Sequence, residues 1–193
     1  MNWKDLAHLA DLGLCLISLC GPSCAGNDFG HRHKPSAAGK VPRRPDWRAS
    51  AYRPAAEVAR DLRDGDNVGV LCGLVSGATN VVVVDADDDE AVAWAAARLP
   101  PTPWRVRTQR GEHWYYRAPA GRPVASCVRR GRLALDVRGQ GSQVVAPGSV
   151  HHTGHAYAAV DAPWTLGGAA APPTYDPAWF SDLPEGDDVD VLR

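Results

Sequence analysis

The spacing of hydrophobic residues changes along the chain from a helical to an extended period. Apolar residues at helical spacing predict helices over residues 3–12 and 54–62. Gly13 favours the end of the first helix, since glycine readily takes the left-handed conformation found at helix C-termini. Pro54 favours the start of the second, where its missing N–H costs little. Residues 21–46 are rich in Gly, Pro, Ser and His without periodicity, and they predict a long loop.

Short strands dominate the middle and the end of the chain. Val81–Val84, four consecutive valines, predicts a strand buried on both faces and therefore central in its sheet. We expect two hairpins, one that turns at Arg110-Gly111 and one that turns around Gly139 and Gly141. The other predicted strands are residues 14–19, 67–71, 104–108 paired with 113–117, 133–137 paired with 143–146, and an edge strand at 157–160.

The same pattern predicts an α+β fold with a mixed sheet. A helix is expected over residues 90–99, where Asp88 can cap its first N–H groups and Pro100-Pro101 ends it. The sequence contains no glycine-rich phosphate loop between a strand and a helix, which argues against Rossmann and P-loop enzymes. We expect one domain over 1–193, composed of a helix and loop portion (1–66), the main sheet (67–160) and a Pro- and Ala-rich, acidic tail (161–193).

Charge is balanced overall but not along the chain. The net charge is -1, yet residues 98–138 contain ten arginines against two acids, and residues 182–190 contain five acids. A basic middle segment can form a phosphate-binding surface in a chain that is nearly neutral in total. It can equally be a solvated, arginine-rich face, and charge alone leaves both interpretations open.

Two carboxylates follow the valine run directly. Asp85 and Asp87 stand at i and i+2, so on an extended chain they point to the same face. Two anions this close repel each other, and a hard cation such as Mg²⁺ or Mn²⁺ relieves the repulsion. The alternative is that both belong to the acidic start of the helix over 90–99, where the helix dipole favours negative charge.

A third carboxylate, Asp136, favours the metal interpretation. It lies on the predicted strand over 133–137, with Arg138 two positions later on the same face. Three carboxylates on neighbouring strands can hold two cations, the arrangement used for in-line phosphoryl transfer. His113, at the start of an aromatic strand, is either a buried, hydrogen-bonded histidine or a donor to nucleotide phosphates.

Together these segments resemble the bifunctional primase/polymerase N-terminal domain of the archaeo-eukaryotic primase superfamily. The likeness runs in order from about Gly39 to Tyr157. The segments that carry it are Val81–Asp87, Gly111–Arg117, Leu135–Gly139, Asn67–Gly73 and Gln143–His151. Gly111 departs from the family, which often has a serine at that position.

The resemblance implies an RRM-like sheet that carries the carboxylates, next to a smaller N-terminal α/β unit. It implies synthesis and extension of primers in the replication of a plasmid, phage or integrative element. The implied partners are single-stranded template DNA, a primer, dNTP or NTP, and a helicase as a separate protein or fused domain. The implied site residues are Asp85, Asp87 and Asp136 for Mg²⁺ or Mn²⁺, His113 for the nucleotide phosphates, and Gly111, Arg117, Arg138, Ser149 and His151 as further nucleotide contacts.

Cysteine and histidine residues cluster in the long loop. Cys20, Cys24, His31 and His33 offer a ligand set that suits tetrahedral Zn²⁺, although their spacing is not that of a standard zinc finger. Some relatives in the resembled family carry a Cys/His loop at this place. The alternative is that the cysteines are small core residues and the histidines are solvated. The sequence leaves a structural zinc open.

Two other functions compete with the primase/polymerase interpretation. His31 and His33 could form the histidine pair of a rolling-circle initiator or relaxase, although Arg32 between them and the Gly/Pro-rich surroundings fit poorly. A non-catalytic single-strand-binding module would instead stack bases on aromatic side chains. The aromatic residues available for this are Trp104, Trp114, Tyr115 and Tyr116.

The start of the chain favours a cytoplasmic protein. The apolar stretch Leu12–Cys20 is broken by Gly13 and Ser18, and it is far shorter than the ~20 residues of a membrane span. It also lacks the basic leader and cleavage site of a secretory signal. We therefore expect reduced cysteines without disulfides and no membrane partner.

Overall fold

The described part of the chain contains three α-helices and ten short strands, which arise from the helical and the extended hydrophobic patterns. The structure, a computed structural model, describes residues 3–24, 34–128, 132–161, 163–166, 171–183 and 187–188. The helices are α1 (Trp3–Asp11), α2 (Ala55–Arg60) and α3 (Asp89–Arg98), and the strands are β1 (Leu16–Leu19), β2 (Asn67–Leu71), β3 (Val81–Ala86), β4 (Arg105–Arg107), β5 (Glu112–Arg117), β6 (Cys127–Val128), β7 (Leu135–Arg138), β8 (Gln143–Val145), β9 (Ala158–Ala159) and β10 (Asp187–Asp188). The predicted α+β class is confirmed.

The chain divides into two units whose boundaries do not follow chain order. Unit 1 comprises residues 1–71, 75–79 and 143–158, and unit 2 comprises residues 72–74, 80–142 and 159–193. No helix among the described residues is long and apolar enough to cross a membrane. The five cysteines form no disulfide.

Unit 1 is built on the antiparallel sheet β1-β2-β8. Every residue of β1 and β2 is buried. Helices α1 and α2 contribute buried side chains, Leu6, Leu9 and Val58. Helix α1 ends before Gly13, whose φ of 74° is the left-handed conformation predicted there.

Unit 2 contains the larger sheet apart from Ala158 of β9, and the strand order is β10-β6-β7-β3-β5-β4-β9. β3 lies in its interior between β5 and β7, which confirms that the valine run forms a central strand. The pairings with a defined register are antiparallel, and a parallel bridge joins Arg117 to Thr174. The RRM-like description of this sheet stays a prediction.

The two faces of β3 have different surroundings. Val82, Val84 and Ala86 belong to an apolar cluster that includes Ala91 and Ala95 of α3. Alternate residues of a strand point to opposite faces, so Val83 and Asp85 face the other way. Asp88 caps α3 as predicted, because its side chain accepts a hydrogen bond from the Ala91 N–H at 2.8 Å. The helix therefore covers one face of the strand and leaves the face of Asp85 for polar groups.

The predicted hairpin between residues 133–137 and 143–146 is wrong. β7 pairs with β3 and β6, whereas β8 pairs with β2 in the other sheet. The backbone after β7 runs beside residues 124–126, since Gly139 N–H donates to Ser126 Oγ and Gln140 N–H to Val124 O. A Cβ at Gly139 would stand 2.1 Å from the Val124 carbonyl oxygen. Gly139 thus permits a close backbone approach. Its carbonyl also accepts a hydrogen bond from the Ser142 N–H at 3.2 Å, so the expected turn is present, but the strands on either side of it do not pair.

A buried ion pair that the sequence pattern did not reveal stabilises unit 1. Arg43 Nε donates to Asp66 Oδ2 at 2.6 Å and Arg43 Nη2 donates to Asp66 Oδ1 at 2.5 Å. The Arg63 N–H also donates to Asp66 Oδ2. This two-point contact connects the segment beside β1 to the residue that precedes β2.

We expect Asp66→Ala to lower the free energy of unfolding by about 3–5 kcal/mol, because it leaves the Arg43 guanidinium buried without its carboxylate. Equilibrium unfolding in urea measures the change. The control is Asp46→Ala, since the neighbouring Arg44–Asp46 pair has side chains 51% and 58% exposed. The control should leave the urea midpoint nearly unchanged. An equally small change in Asp66→Ala would contradict the prediction.

Candidate metal centre

Strand pairing sets three polar side chains in a row across the centre of the larger sheet. Asp85 of β3 lies directly opposite His113 of β5 on one side and directly opposite Asp136 of β7 on the other. Directly paired residues of antiparallel strands project from the same face. The row is therefore fixed by backbone hydrogen bonds and does not depend on flexible loops.

The structure brings together the three carboxylates that the sequence singled out. One oxygen atom from each of Asp85, Asp87 and Asp136 lies within 4.8 Å of the others. Asp85 and Asp136 are only 8% and 6% exposed. The Asp87 N–H donates to the Ala134 carbonyl at 2.8 Å, which continues the pairing of β3 and β7 past the end of β3. We call these three residues the carboxylate trio.

The helix-start explanation of the acidic run accounts for Asp88 but not for Asp85. Asp88 caps α3, and Asp89 lies in its first turn. Asp85 instead belongs to β3 and pairs with residues of two other strands. The first carboxylate of the run thus has a different structural position from the acids of the helix N-terminus.

The electrostatics of the carboxylate trio favour a bound cation. Burial raises the pKa of Asp87 above its ordinary value, and the negative charge of Asp85 raises it further, while Arg110, Arg138 and His113 oppose the shift. A cation relieves both causes, because it compensates the lost hydration and the mutual repulsion. The trio offers only oxygen ligands, so it fits a hard divalent ion such as Mg²⁺ or Mn²⁺.

Arg138 bridges two members of the trio. Its Nη2 donates to Asp136 Oδ2 at 2.6 Å and to Asp85 Oδ2 at 3.3 Å, and its Nε lies 3.4 Å from the same Asp85 oxygen. Asp136 and Arg138 are alternate residues of β7, which explains why both side chains reach the same face. The bridge places a positive charge directly against the trio.

His113 is buried beside the trio. Its Nε2 lies 3.5 Å from Asp85 Oδ1, and its ring contacts Tyr115. The backbone approaches β3 closely just before β5 begins. This approach depends on Gly111, where a Cβ would stand 1.8 Å from the Ala86 carbonyl oxygen. Gly111 therefore contributes by letting the backbone of β5 approach β3, which sets the distance between His113 and Asp85.

An open cavity of about 590 Å³ borders the trio. Asp87 and Asp136 line it, together with Arg110, which is 66% exposed and lies 3.5 Å from Asp87 Oδ1. Gln109 also lines this cavity, a residue to which sequence reasoning gave no role. The available signal was its place in the turn before His113. The remaining lining residues are Asp88, Asp89, Val128 and Ala134.

A family model described as bifunctional DNA primase/polymerase, N-terminal, matches residues 6–179. This chain belongs to that family. The matched range includes the whole carboxylate trio, His113 and Arg138. No curated protein matches the chain. The primase/polymerase family assignment agrees with a centre made of carboxylates on adjacent strands.

Three further residues, Arg117, Ser149 and His151, were expected to contact the nucleotide of this primase/polymerase domain. Arg117 pairs with Val81, at the end of β3 opposite to Asp85, roughly 13 Å along the strand from His113. Ser149 and His151 belong to unit 1. Nucleotide binding by these three residues stays a prediction.

The contacts of Ser149 and His151 anchor a loop of unit 1. Ser149 is fully buried, and its hydroxyl accepts a hydrogen bond from the Val68 N–H at 3.1 Å and donates to the Val68 carbonyl at 3.2 Å. His151 Nδ1 lies 2.9 Å from Thr153 Oγ1. Asn67 also holds Val150, through its side-chain oxygen at 2.9 Å from the Val150 N–H.

Part of the arginine excess in the middle of the chain is used within unit 2. Arg105 and Arg107 both contact the buried carboxylate of Glu112, at 3.4 and 3.0 Å. Arg105 also pairs with Asp161 at 3.0 Å. Arg98 pairs with Asp182 of the acidic tail. These pairs show that the segment is not uniformly available to phosphates.

Half of the expected zinc ligands fall inside the described residues. The thiols of Cys20 and Cys24 interact, and burial raises the pKa of Cys20. The Gly39 N–H donates to Cys20 Sγ at 3.3 Å. His31 and His33 lie outside the described residues. The zinc site stays a prediction.

We expect Gly111→Ala to destabilise the primase/polymerase domain by about 1–3 kcal/mol, because the new methyl group forces β5 away from the Ala86 carbonyl. Thermal unfolding measures the loss. The control is Gly121→Asn, since a Cβ at Gly121 would meet nothing within 4 Å and asparagine tolerates its φ of 65°. Equal stability of the two variants would show that the backbones do not approach as closely as described.

The zinc hypothesis predicts about one zinc ion per purified chain, lost in the double variant Cys20→Ser/Cys24→Ser. Elemental analysis of the protein provides the measurement. Cys15→Ser is the matched control, since Cys15 is buried and donates to the Ala51 carbonyl, and it should retain zinc. Zinc-free wild-type protein would refute the hypothesis.

Proposed function

We propose that this chain is a DNA primase/polymerase that uses divalent metal ions for template-directed nucleotidyl transfer. The observation that carries the proposal is the cross-strand row in which Asp85 faces Asp136, with Asp87 completing the carboxylate trio. The family assignment supports the same chemistry. The substrates are a single-stranded DNA template, a primer and dNTP or NTP.

Asp85, Asp87 and Asp136 would hold two Mg²⁺ or Mn²⁺ ions. Bound there, such ions lower the pKa of a primer 3′-hydroxyl and stabilise the charge that develops on the transferred phosphoryl group. The protein's own contribution is preorganisation. Because backbone pairing holds Asp85 and Asp136, their carboxylates need little rearrangement when charge develops.

His113, Arg138 and Arg110 would contact the nucleotide phosphates. Arg138 and Arg110 each already lie near a carboxylate of the trio, so a triphosphate beside the metals would be within reach of both guanidinium groups. His113 would donate a hydrogen bond from the strand beside Asp85. Arg117, Ser149 and His151 are kept as weaker candidates for nucleotide binding.

The proposed setting is DNA replication of a plasmid, phage or integrative element in the cytoplasm, with a helicase as partner. Nucleotides and template are both present there. The open cavity beside the trio offers carboxylates for metal ions together with hydrogen-bond donors, Arg110 and Gln109, for phosphate oxygens.

The structure removes the main support for a passive single-strand-binding module. The four aromatic residues proposed to stack bases are Trp104, Trp114, Tyr115 and Tyr116, and each is at most 4% exposed. Trp104 stacks on Trp164 inside unit 2, at 5.3 Å between ring centroids. Base stacking needs an accessible ring face. For a relaxase, His31 and His33 are outside the described residues.

We expect Asp85→Asn and Asp136→Asn each to reduce metal-dependent incorporation of labelled dNTP by at least about a hundredfold, because each removes a charged ligand and keeps the side-chain shape. Primer extension with Mg²⁺ or Mn²⁺ measures the rate. Glu90→Gln is the control, since Glu90 is an exposed acid of α3 and should keep activity.

Full activity in both Asn variants would refute the proposed function. A covalent tyrosine–DNA adduct without nucleotide incorporation would favour a relaxase. DNA binding that persists in EDTA, without either reaction, would favour the passive module.

A further inference from the structure

The position of Arg138 carries an inference beyond the catalytic role of the trio. Its Nη2 lies within hydrogen-bonding distance of Asp85 Oδ2 and Asp136 Oδ2 together, at 3.3 and 2.6 Å. Among the described residues, the hydrogen bonds of this guanidinium go to these two carboxylates. Its long side chain is 31% exposed, so solvent reaches part of it.

The guanidinium and a divalent metal would bind the same two carboxylates. Mg²⁺ binds carboxylate oxygens at about 2.0–2.1 Å, and the Nη2 group of Arg138 already occupies one oxygen of each carboxylate. The two cations also repel each other at such short range in a partly buried site. Full metal coordination by Asp85 and Asp136 therefore weakens or displaces the Arg138 contacts.

A displaced Arg138 has a new partner close by. The side chain projects from the same face of β7 as Asp136, so it stays beside the metals after release. The triphosphate of an incoming nucleotide would lie against those metals. A guanidinium presents several N–H donors in a plane, which suits phosphate oxygens at least as well as carboxylates.

We propose that Arg138 is the resident cation of the metal-free site, that it competes with the divalent metal for Asp85 and Asp136, and that it moves to the nucleotide triphosphate when the metal binds. The second half of this inference rests on the proposed function. The first half concerns the protein and the metal alone. In the metal-free state Arg138 offsets the repulsion within the trio, and in the loaded state it contributes to nucleotide affinity.

The first test is equilibrium binding of Mn²⁺ to the full chain without DNA or nucleotide, followed by the electron paramagnetic resonance signal of free Mn²⁺. We expect Arg138→Gln to bind Mn²⁺ about tenfold tighter than wild type, which corresponds to about 1.4 kcal/mol. Arg138→Lys keeps the charge but cannot bridge two carboxylates in the same way, so it should be intermediate. Arg122→Gln removes an exposed arginine outside the site and should change nothing.

The second test is dNTP affinity at saturating Mn²⁺, measured by calorimetry on the same variants. Arg138→Gln should bind dNTP about tenfold more weakly than wild type, because the triphosphate loses a guanidinium partner. The two affinities thus change in opposite directions. A merely structural role for Arg138 would weaken both, and that result would overturn the proposal.

Thermal unfolding shows whether a change in affinity arises only because a variant is poorly folded. In EDTA, Arg138→Gln should melt below wild type because the trio loses its compensating charge, and saturating Mn²⁺ should raise its melting temperature more than that of wild type. Equal shifts in the two proteins, or unchanged or weaker Mn²⁺ binding by Arg138→Gln, would overturn the competition. The Mn²⁺ and dNTP affinities of Arg138→Gln could change in opposite directions while wild type does not extend primers. That result would support the competition and refute the proposed function.

Discussion

Backbone hydrogen bonding on both sides of β3 determines where every polar group of the site lies. β3 pairs with β5 and β7 along most of its length, and these pairings set Asp85 opposite His113 and Asp136. A slip of one residue in either pairing would turn the partner's side chains to the apolar face, where α3 lies. The hydrophobic residues of β3 therefore contribute to the chemistry, because their burial fixes the register.

The site combines burial and negative charge, which oppose each other. Asp85 and Asp136 lose hydration when they are enclosed by the sheet, and close carboxylates repel. Arg138 offsets this cost within the protein, and a divalent ion would offset it more completely. The raised pKa of Asp87 has the same origin, since burial and the Asp85 charge both disfavour its ionised form. The fold thus tolerates an arrangement that is stable only in the presence of positive charge.

Local sequence patterns predicted the elements well and the long-range pairings poorly. The valine run, the Asp88 cap and the i, i+2 carboxylates all depend on neighbours within a few residues, and the structure has each of them. The hairpin around Gly139 was wrong because the turn over residues 139–142 is present but does not determine which strands pair on either side of it.

Pairings between distant residues left no local signal. The Arg43–Asp66 pair joins residues 23 positions apart, and Arg138 reaches Asp85 across 53 positions. The carboxylate trio was inferred from strand ends and a family resemblance, but its geometry depends on strand order. Ser149 is an example of what the sequence does not reveal. Only the structure shows that its hydroxyl forms hydrogen bonds with the backbone of Val68.

The late position of β8 in the chain affects how the protein can fold during synthesis. β2 receives its second neighbour only when residues 143–145 have left the ribosome, so the N-terminal sheet keeps an open edge while the strands from β3 to β7 are made. Those strands are close in sequence and can pair first, since short loops close faster than long ones. Translation therefore leaves the edge of β2 open until after β3 to β7 have been made, and an open strand edge of this kind favours aggregation.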